Sequence, residues 1–193
     1  MTIEAHSIRP RARAHGWFVA VAISAGAPVA LASTHAHAGP SDNSASKPWS
    51  LHAGLGPAVS FGGDVMGRLQ FDMEYHFKGG DVGPALGFYV PVNFERRELG
   101  LNVGPIFVWD FRIAEAGGGK IYVGPLVASG YGFHAHFRHR FNYHFWFFHA
   151  GGQFRMLWND NIGFFARPAN FEVWAGNVVV GHWSFVGGLA AAF

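Results

Sequence analysis

The stretch Arg68-Leu69-Gln70-Phe71-Asp72-Met73-Glu74-Tyr75-His76-Phe77-Lys78 decides the fold. Its even positions, Arg68, Gln70, Asp72, Glu74, His76 and Lys78, are all polar, and its odd positions, Leu69, Phe71, Met73, Tyr75 and Phe77, are all apolar. A helix would spread both sets around its circumference, whereas a strand, with its period of two, places one set on each face. The segment therefore reads as a strand with a wholly polar and a wholly apolar side.

The same period recurs on either side of it. Trp49 to Phe61 aligns Trp49, Leu51, Ala53, Leu55, Pro57, Val59 and Phe61 against Ser50, His52, Gly54, Gly56, Ala58 and Ser60. Val82 to Val92, Leu99 to Phe111 and Ile121 to Phe133 alternate likewise. Three further strands complete a set of eight. About Tyr143 to Leu157, a change of phase, and so a bulge, is expected near Phe147 to His149; Ile162 to Trp174 is the poorest match; Gly181 to Phe193 is the last. The connections between them, such as Gly62 to Gly67, Asn93 to Glu98, Ile113 to Gly119 and Trp158 to Asn161, are short and rich in Gly, Asn, Asp or charge, as hairpin turns are.

Composition agrees. The 193 residues include 27 Gly, 20 Phe and no Cys, and half are hydrophobic while 13% are charged, which excludes a disordered chain and a disulfide framework. Arg9, Arg11 and Arg13, the apolar run Trp17 to Ala32 and Ala36-His37-Ala38 follow the order of a secretory signal peptide, so residues 1–38 are expected to be removed. A retained anchor is disfavoured because Gly26 and Pro28 interrupt the run. Without that segment 11 Lys+Arg stand against 11 Asp+Glu, and a nucleic-acid partner has no electrostatic motive. Residues 39–48 read as a short polar tether and 49–193 as one domain.

The side opposite the large apolar residues is mostly Gly, Ala and Ser in the first, third and fifth strands, which cannot make a surface soluble. It suits the crowded interior of a narrow barrel, with the bulky residues facing lipid. Strands of roughly 11 to 14 residues rise about 36 to 46 Å, and a tilt near 45° brings that to the height of a bilayer core. A transmembrane helix over Val173 to Phe193 is opposed by Asn177, His182 and four glycines. The fold class is thus all-β: a closed antiparallel up-and-down transmembrane barrel of eight strands.

On these residues the chain resembles the small eight-stranded outer-membrane β-barrels of Gram-negative bacteria, of OmpA/OmpX-like architecture. Phe193, Ala191, Leu189 and Phe185 at alternating positions are similar to the terminal signal that such proteins present to the barrel-assembly machinery, with Ala191 the weakest match. The resemblance implies an outer-membrane location, periplasmic termini, contact with lipid and lipopolysaccharide, and a monomer. It is architectural and implies no activity or cofactor.

Four Gly-Pro pairs, Gly56-Pro57, Gly83-Pro84, Gly104-Pro105 and Gly124-Pro125, put Pro on the apolar and Gly on the polar side; they mark bulges or a membrane boundary, or else simple strand entry. The polar row Arg68, Asp72, Glu74, His76 and Lys78, with Asn102, Asp110, Arg112, Lys120 and Glu172 as neighbours, is either an interior salt-bridge network that plugs the barrel or a polar path for a small solute. Binding or passage of a small apolar ligand is a further alternative. Arg138 and Arg140, among His134, His136, His139, His144 and His149, suit lipopolysaccharide phosphates in an outward loop, while His134 and His136 share a face and are weak metal candidates. His182-Trp183-Ser184 matches a fragment of the lipid A deacylases, with Glu172 as the available acidic partner, but it lacks the Asn that follows the Ser in that family. The favoured reading is a non-enzymatic structural or surface protein of the envelope.

Overall fold

The computed structural model describes residues 47–77, 82–137 and 141–193. They form eight strands: β1 Trp49–Ser60, β2 Val65–His76, β3 Gly83–Glu95, β4 Glu98–Ala116, β5 Gly119–His136, β6 Phe141–Trp158, β7 Ile162–Ala175 and β8 Val179–Ala192. Each pairs antiparallel with the next, and β1 pairs with β8, so the sheet is a closed barrel without a free edge. The signal-peptide segment, most of the tether, Lys78, Arg138, His139 and Arg140 lie outside the described residues.

Alternation decides which side meets the surroundings. On β2, Phe71, Met73 and Tyr75 are exposed on the outer wall, while Arg68, Gln70, Asp72, Glu74 and His76 are buried within the barrel. Leu51, Leu55, Phe88, Leu99, Leu101, Phe107, Trp109, Val127, Phe171 and Trp183 add to the outer apolar belt. No helix among the described residues is long and apolar enough to cross a membrane, so any crossing that these residues make belongs to the strands.

Several expectations need correction. β6 keeps one phase throughout: Phe145, Phe147, His149, Gln153, Arg155 and Leu157 all point inward, with Phe147 beside Tyr89 and Phe145 stacked on Trp174. The phase change falls on β7 instead. Arg167 and Asn170 are both buried although three residues apart, and the register against both neighbouring strands shifts at Pro168-Ala169. That bulge explains why β7 fits a simple alternation so poorly. The strands also run further than expected at β4 and β5, where the connection shrinks to Gly117-Gly118, with φ of 58° and 74°. Two consecutive left-handed residues make a tight hairpin turn that glycine adopts without strain.

The Gly-Pro pairs are not at the register shifts. Past Pro57 the β1–β8 pairing resumes in the same register, from Leu55 opposite Gly187 to Ala58 opposite Ser184, and β4–β5 does the same across Pro105. The proline removes ladder bonds without inserting a residue. The glycine before it serves close approach: a Cβ on Gly104 would collide with the Ser129 carbonyl oxygen of the neighbouring strand. Gly104→Ala is therefore expected to destabilise the barrel by about 1–3 kcal/mol, read from urea unfolding in lipid vesicles, because backbone must move to admit the methyl group.

Candidate functional site

The interior of the barrel holds the polar chemistry. Among the buried described residues, three guanidinium groups, Arg68, Arg155 and Arg167, face four carboxylates, Asp72, Glu74, Asp110 and Glu172. They come from β2, β4, β6 and β7 and meet across the lumen. Unpaired charges at such a place would be costly, so the hydrogen bonds that join them decide whether the interior is tolerable.

One cluster lies toward the end of the barrel that carries Trp49 and Phe193. Arg167 on β7 grips Asp72 with both terminal nitrogens, at 2.7 Å and 2.9 Å, and reaches Glu74 at 3.2 Å and Gln153 at 2.8 Å. The fork of guanidinium on carboxylate is the strongest ion-pair geometry available to the side chains. His52 on β1 lies 2.6 Å from Asp72 through Nδ1. Arg155 on β6 pairs with Asp110 at 2.9 Å and donates to Ser50 at 2.6 Å, while Gln153 donates to the other Asp110 oxygen at 2.9 Å.

A second cluster lies toward the opposite end. Arg68 donates to Glu172 at 2.7 Å and 3.3 Å, to Asn93 at 2.7 Å and to Ser184 at 3.2 Å. Glu172 also accepts from Asn102 at 3.1 Å and Trp174 at 2.5 Å, and His149 Nδ1 lies 3.1 Å away. Tyr89 bridges the two clusters, donating to Gln70 at 3.3 Å, with His149 Nδ1 also at 3.3 Å. Gln70 in turn donates to Asp72 at 3.1 Å. The result is one connected polar network from Asp110 to Glu172.

No family model and no curated protein matches the chain. Solved structures do. The crystal structure of Neisserial surface protein A matches with a TM-score of 0.52 and 14% identity, over 75% of this chain and 96% of that one. The N-terminal β-barrel domain of Pseudomonas aeruginosa OprF matches at 0.48 and 14%, over 75% and 97%, and Ail of Yersinia pestis at 0.39 and 17%, over 74% and 95%. The fold is that of the small eight-stranded outer-membrane β-barrels. At these identities the likeness is one of architecture.

In this outer-membrane barrel fold the expected row is divided between the two clusters. Asp72, Glu74, His76 and Asp110 lie in the first, and Arg68, Asn102 and Glu172 in the second. Arg112 pairs with Glu115 at 3.3 Å and Lys120 with Asp160 at 2.7 Å, both near the turns. Arg155 and Arg167 are the functional residues that sequence reasoning missed. Strict alternation through Gln153, Arg155 and Leu157 signals the first, whereas the bulge conceals the second.

The remaining candidates are placed as follows. His182 and Ser184 on β8 point into the lumen, and no hydrogen bond among those described joins them; Ser184 faces Arg68, and His182 lies against the Trp174 ring with 4.0 Å between centroids. Glu172, the acidic partner available to that pair, is held by Arg68. At the rim opposite Trp49 and Phe193, His134 and His136 lie 3.4 Å and 3.2 Å from Glu98. An apolar recess of about 560 Å³ is lined by Leu86, Phe107, Val127, Phe148 and Phe171, which are exposed on the outer wall, together with the buried Ile106 and His149.

Proposed function

We propose that the protein is a non-enzymatic, monomeric outer-membrane β-barrel, a structural or surface protein of the Gram-negative envelope whose interior is closed by its own side chains. The observation that carries this reading is the inversion of the usual soluble pattern: Phe, Leu and Trp ring the outside while three arginines and four carboxylates are buried and bonded to one another within. A belt of that kind is stable against hydrocarbon and not against water. The network spans the lumen, leaving a solute to break charge-assisted hydrogen bonds in order to pass.

Export through the signal segment 1–38 and assembly through β8 and the residue that follows it, with Phe185, Leu189 and Phe193 exposed, belong to this reading. With periplasmic termini, the rim bearing His134 and His136 faces the exterior, where lipopolysaccharide phosphates meet it, and Arg138 and Arg140 are assigned to that contact. Lipid A hydrolysis is disfavoured because Ser184 faces Arg68 within the barrel, away from the acyl chains. In planar bilayers the purified barrel is expected to give no stable single-channel steps; reproducible steps would replace the closed interior by a conducting one.

A further inference from the structure

The pairing inside the barrel leaves one carboxylate over. Arg68 serves Glu172, Arg155 serves Asp110, and Arg167 is committed in bidentate fashion to Asp72. Glu74 receives the longer contact from Arg167, at 3.2 Å to Oε1, and His52 Nδ1 lies 3.6 Å from the same oxygen. Its other oxygen, Oε2, is fully buried and has no hydrogen-bond partner. A buried carboxylate oxygen left in this way calls for a proton or a cation.

The surroundings of Glu74 are those of a metal site. Glu74, His76 and Asp110 each bring one ligand atom to within 4.8 Å of the others. Glu74 and His76 are two apart on β2 and so share its inner side. Asp110 reaches the same point from β4 because the strand between them is almost bare there: Gly87 is opposite Glu74, Ala85 opposite His76, and Gly83 opposite Asp110. No inward side chain of β3 larger than a methyl group stands in the way at these positions. Donor groups around a tetrahedral Zn²⁺ are about 3.3–3.5 Å apart, so the three need to close by roughly an ångström.

We propose that Glu74, His76 and Asp110 form an enclosed site for a divalent transition-metal ion, Zn²⁺ above all. The donor set is one imidazole nitrogen with carboxylate oxygens and no thiolate, which suits Zn²⁺ and disfavours Cu⁺ or an iron–sulfur cluster. In the neighbouring group of His52, Asp72 and Glu74 the Arg167 fork holds both oxygens of Asp72, whereas Arg155 pairs with Asp110 through Oδ2 alone, the contact that an ion would displace. An outer contact is in place for the proposed site: Gln153 donates to Asp110. With neutral histidines, Asp72, Glu74 and Asp110 against Arg155 and Arg167 leave one negative charge, and the ion changes this to one positive, so the ligand bonds decide the outcome. The site goes beyond the closed-barrel reading and does not depend on it, because a barrel that conducts can still hold the ion.

Enclosure sets the form of the test. The full chain is folded from denaturant into detergent with ZnSO₄, free metal is stripped with a chelator, and zinc is measured on the compact, unboiled species. About one zinc per chain is expected to be retained, and released on boiling. Because outer-shell partners alone are worth about 10–100-fold in affinity, Glu74→Gln and His76→Gln are expected to lose at least as much. The double variant His134→Gln/His136→Gln is expected to keep its zinc. Should the site variants fail to fold, Co²⁺ loaded into the unaltered chain is expected to show the visible absorption of a four-coordinate N/O site. No retained zinc in the unaltered chain, which would leave a proton on Glu74, overturns the proposal. So does retention unchanged in folded Glu74→Gln, or lost only with His134 and His136.

Discussion

Replacing Arg167 by methionine is expected to lower the free energy of unfolding by about 3–5 kcal/mol, the cost of leaving a buried charge without its partner. Methionine keeps much of the volume but removes the fork that holds Asp72 at 2.7 Å and 2.9 Å and the contact to Glu74 at 3.2 Å. The double variant Arg167→Met/Asp72→Asn carries one more substitution and is expected to be the more stable of the two, since the amide that replaces the Asp72 carboxylate bears no uncompensated charge. Such non-additivity separates the ion pair from a mere loss of packing. Urea unfolding in vesicles, followed by tryptophan fluorescence, reads both. A single variant within about 1 kcal/mol of the original would mean that water reaches the pair, as at an exposed salt bridge.

The second large effect concerns the outer wall. Val127→Arg is expected to cost about 2–4 kcal/mol and Phe94→Arg about 0–1 kcal/mol, because the penalty for a charge on the lipid side depends on depth. Val127 and Phe94 are each 50% exposed, and the Phe94 ring packs over Gly67, so loss of packing alone would make the Phe94 change the costlier of the two. Position sets the opposite order. Val127 lies near the middle of β5, opposite Phe107 and Ala150, whereas Phe94 is beside the Arg96-Arg97 turn. Equal, small costs at the two positions would mean that water, not hydrocarbon, surrounds the belt.

How much of this is legible in the residues depends on how faithfully each strand alternates. β2 does so without exception, and its inner and outer sides can be assigned from Arg68 to Phe77 alone. β6 misleads because Phe145 and Phe147 are large and apolar yet point inward, where Tyr89 and Trp174 receive them. A rule that sends every bulky apolar residue to the lipid forces a false bulge at that place. The true one, at Pro168, is set by the pairing of β7 with both neighbours, a long-range matter that local period does not report. The interior network is legible as composition but not as connectivity: Asp72 and Glu172 stand out, whereas the arginines that hold the first cluster, Arg155 and Arg167, come from the two strands whose phase the sequence leaves open.

Tryptophan quenching by brominated lipids tests most directly which side of the sheet meets hydrocarbon. Trp109 and Trp183 are each 43% exposed on the outer wall, whereas Trp174 is 7% exposed within the barrel. Variants that keep one of these as the sole tryptophan of the folded barrel, the others changed to Phe, are reconstituted in vesicles with and without bromine on the acyl chains. Strong quenching of Trp109 and Trp183 with little quenching of Trp174 is the expected result. Quenching of Trp174 as strong as theirs, or none at Trp109 and Trp183, would contradict the placement of lipid against the apolar belt.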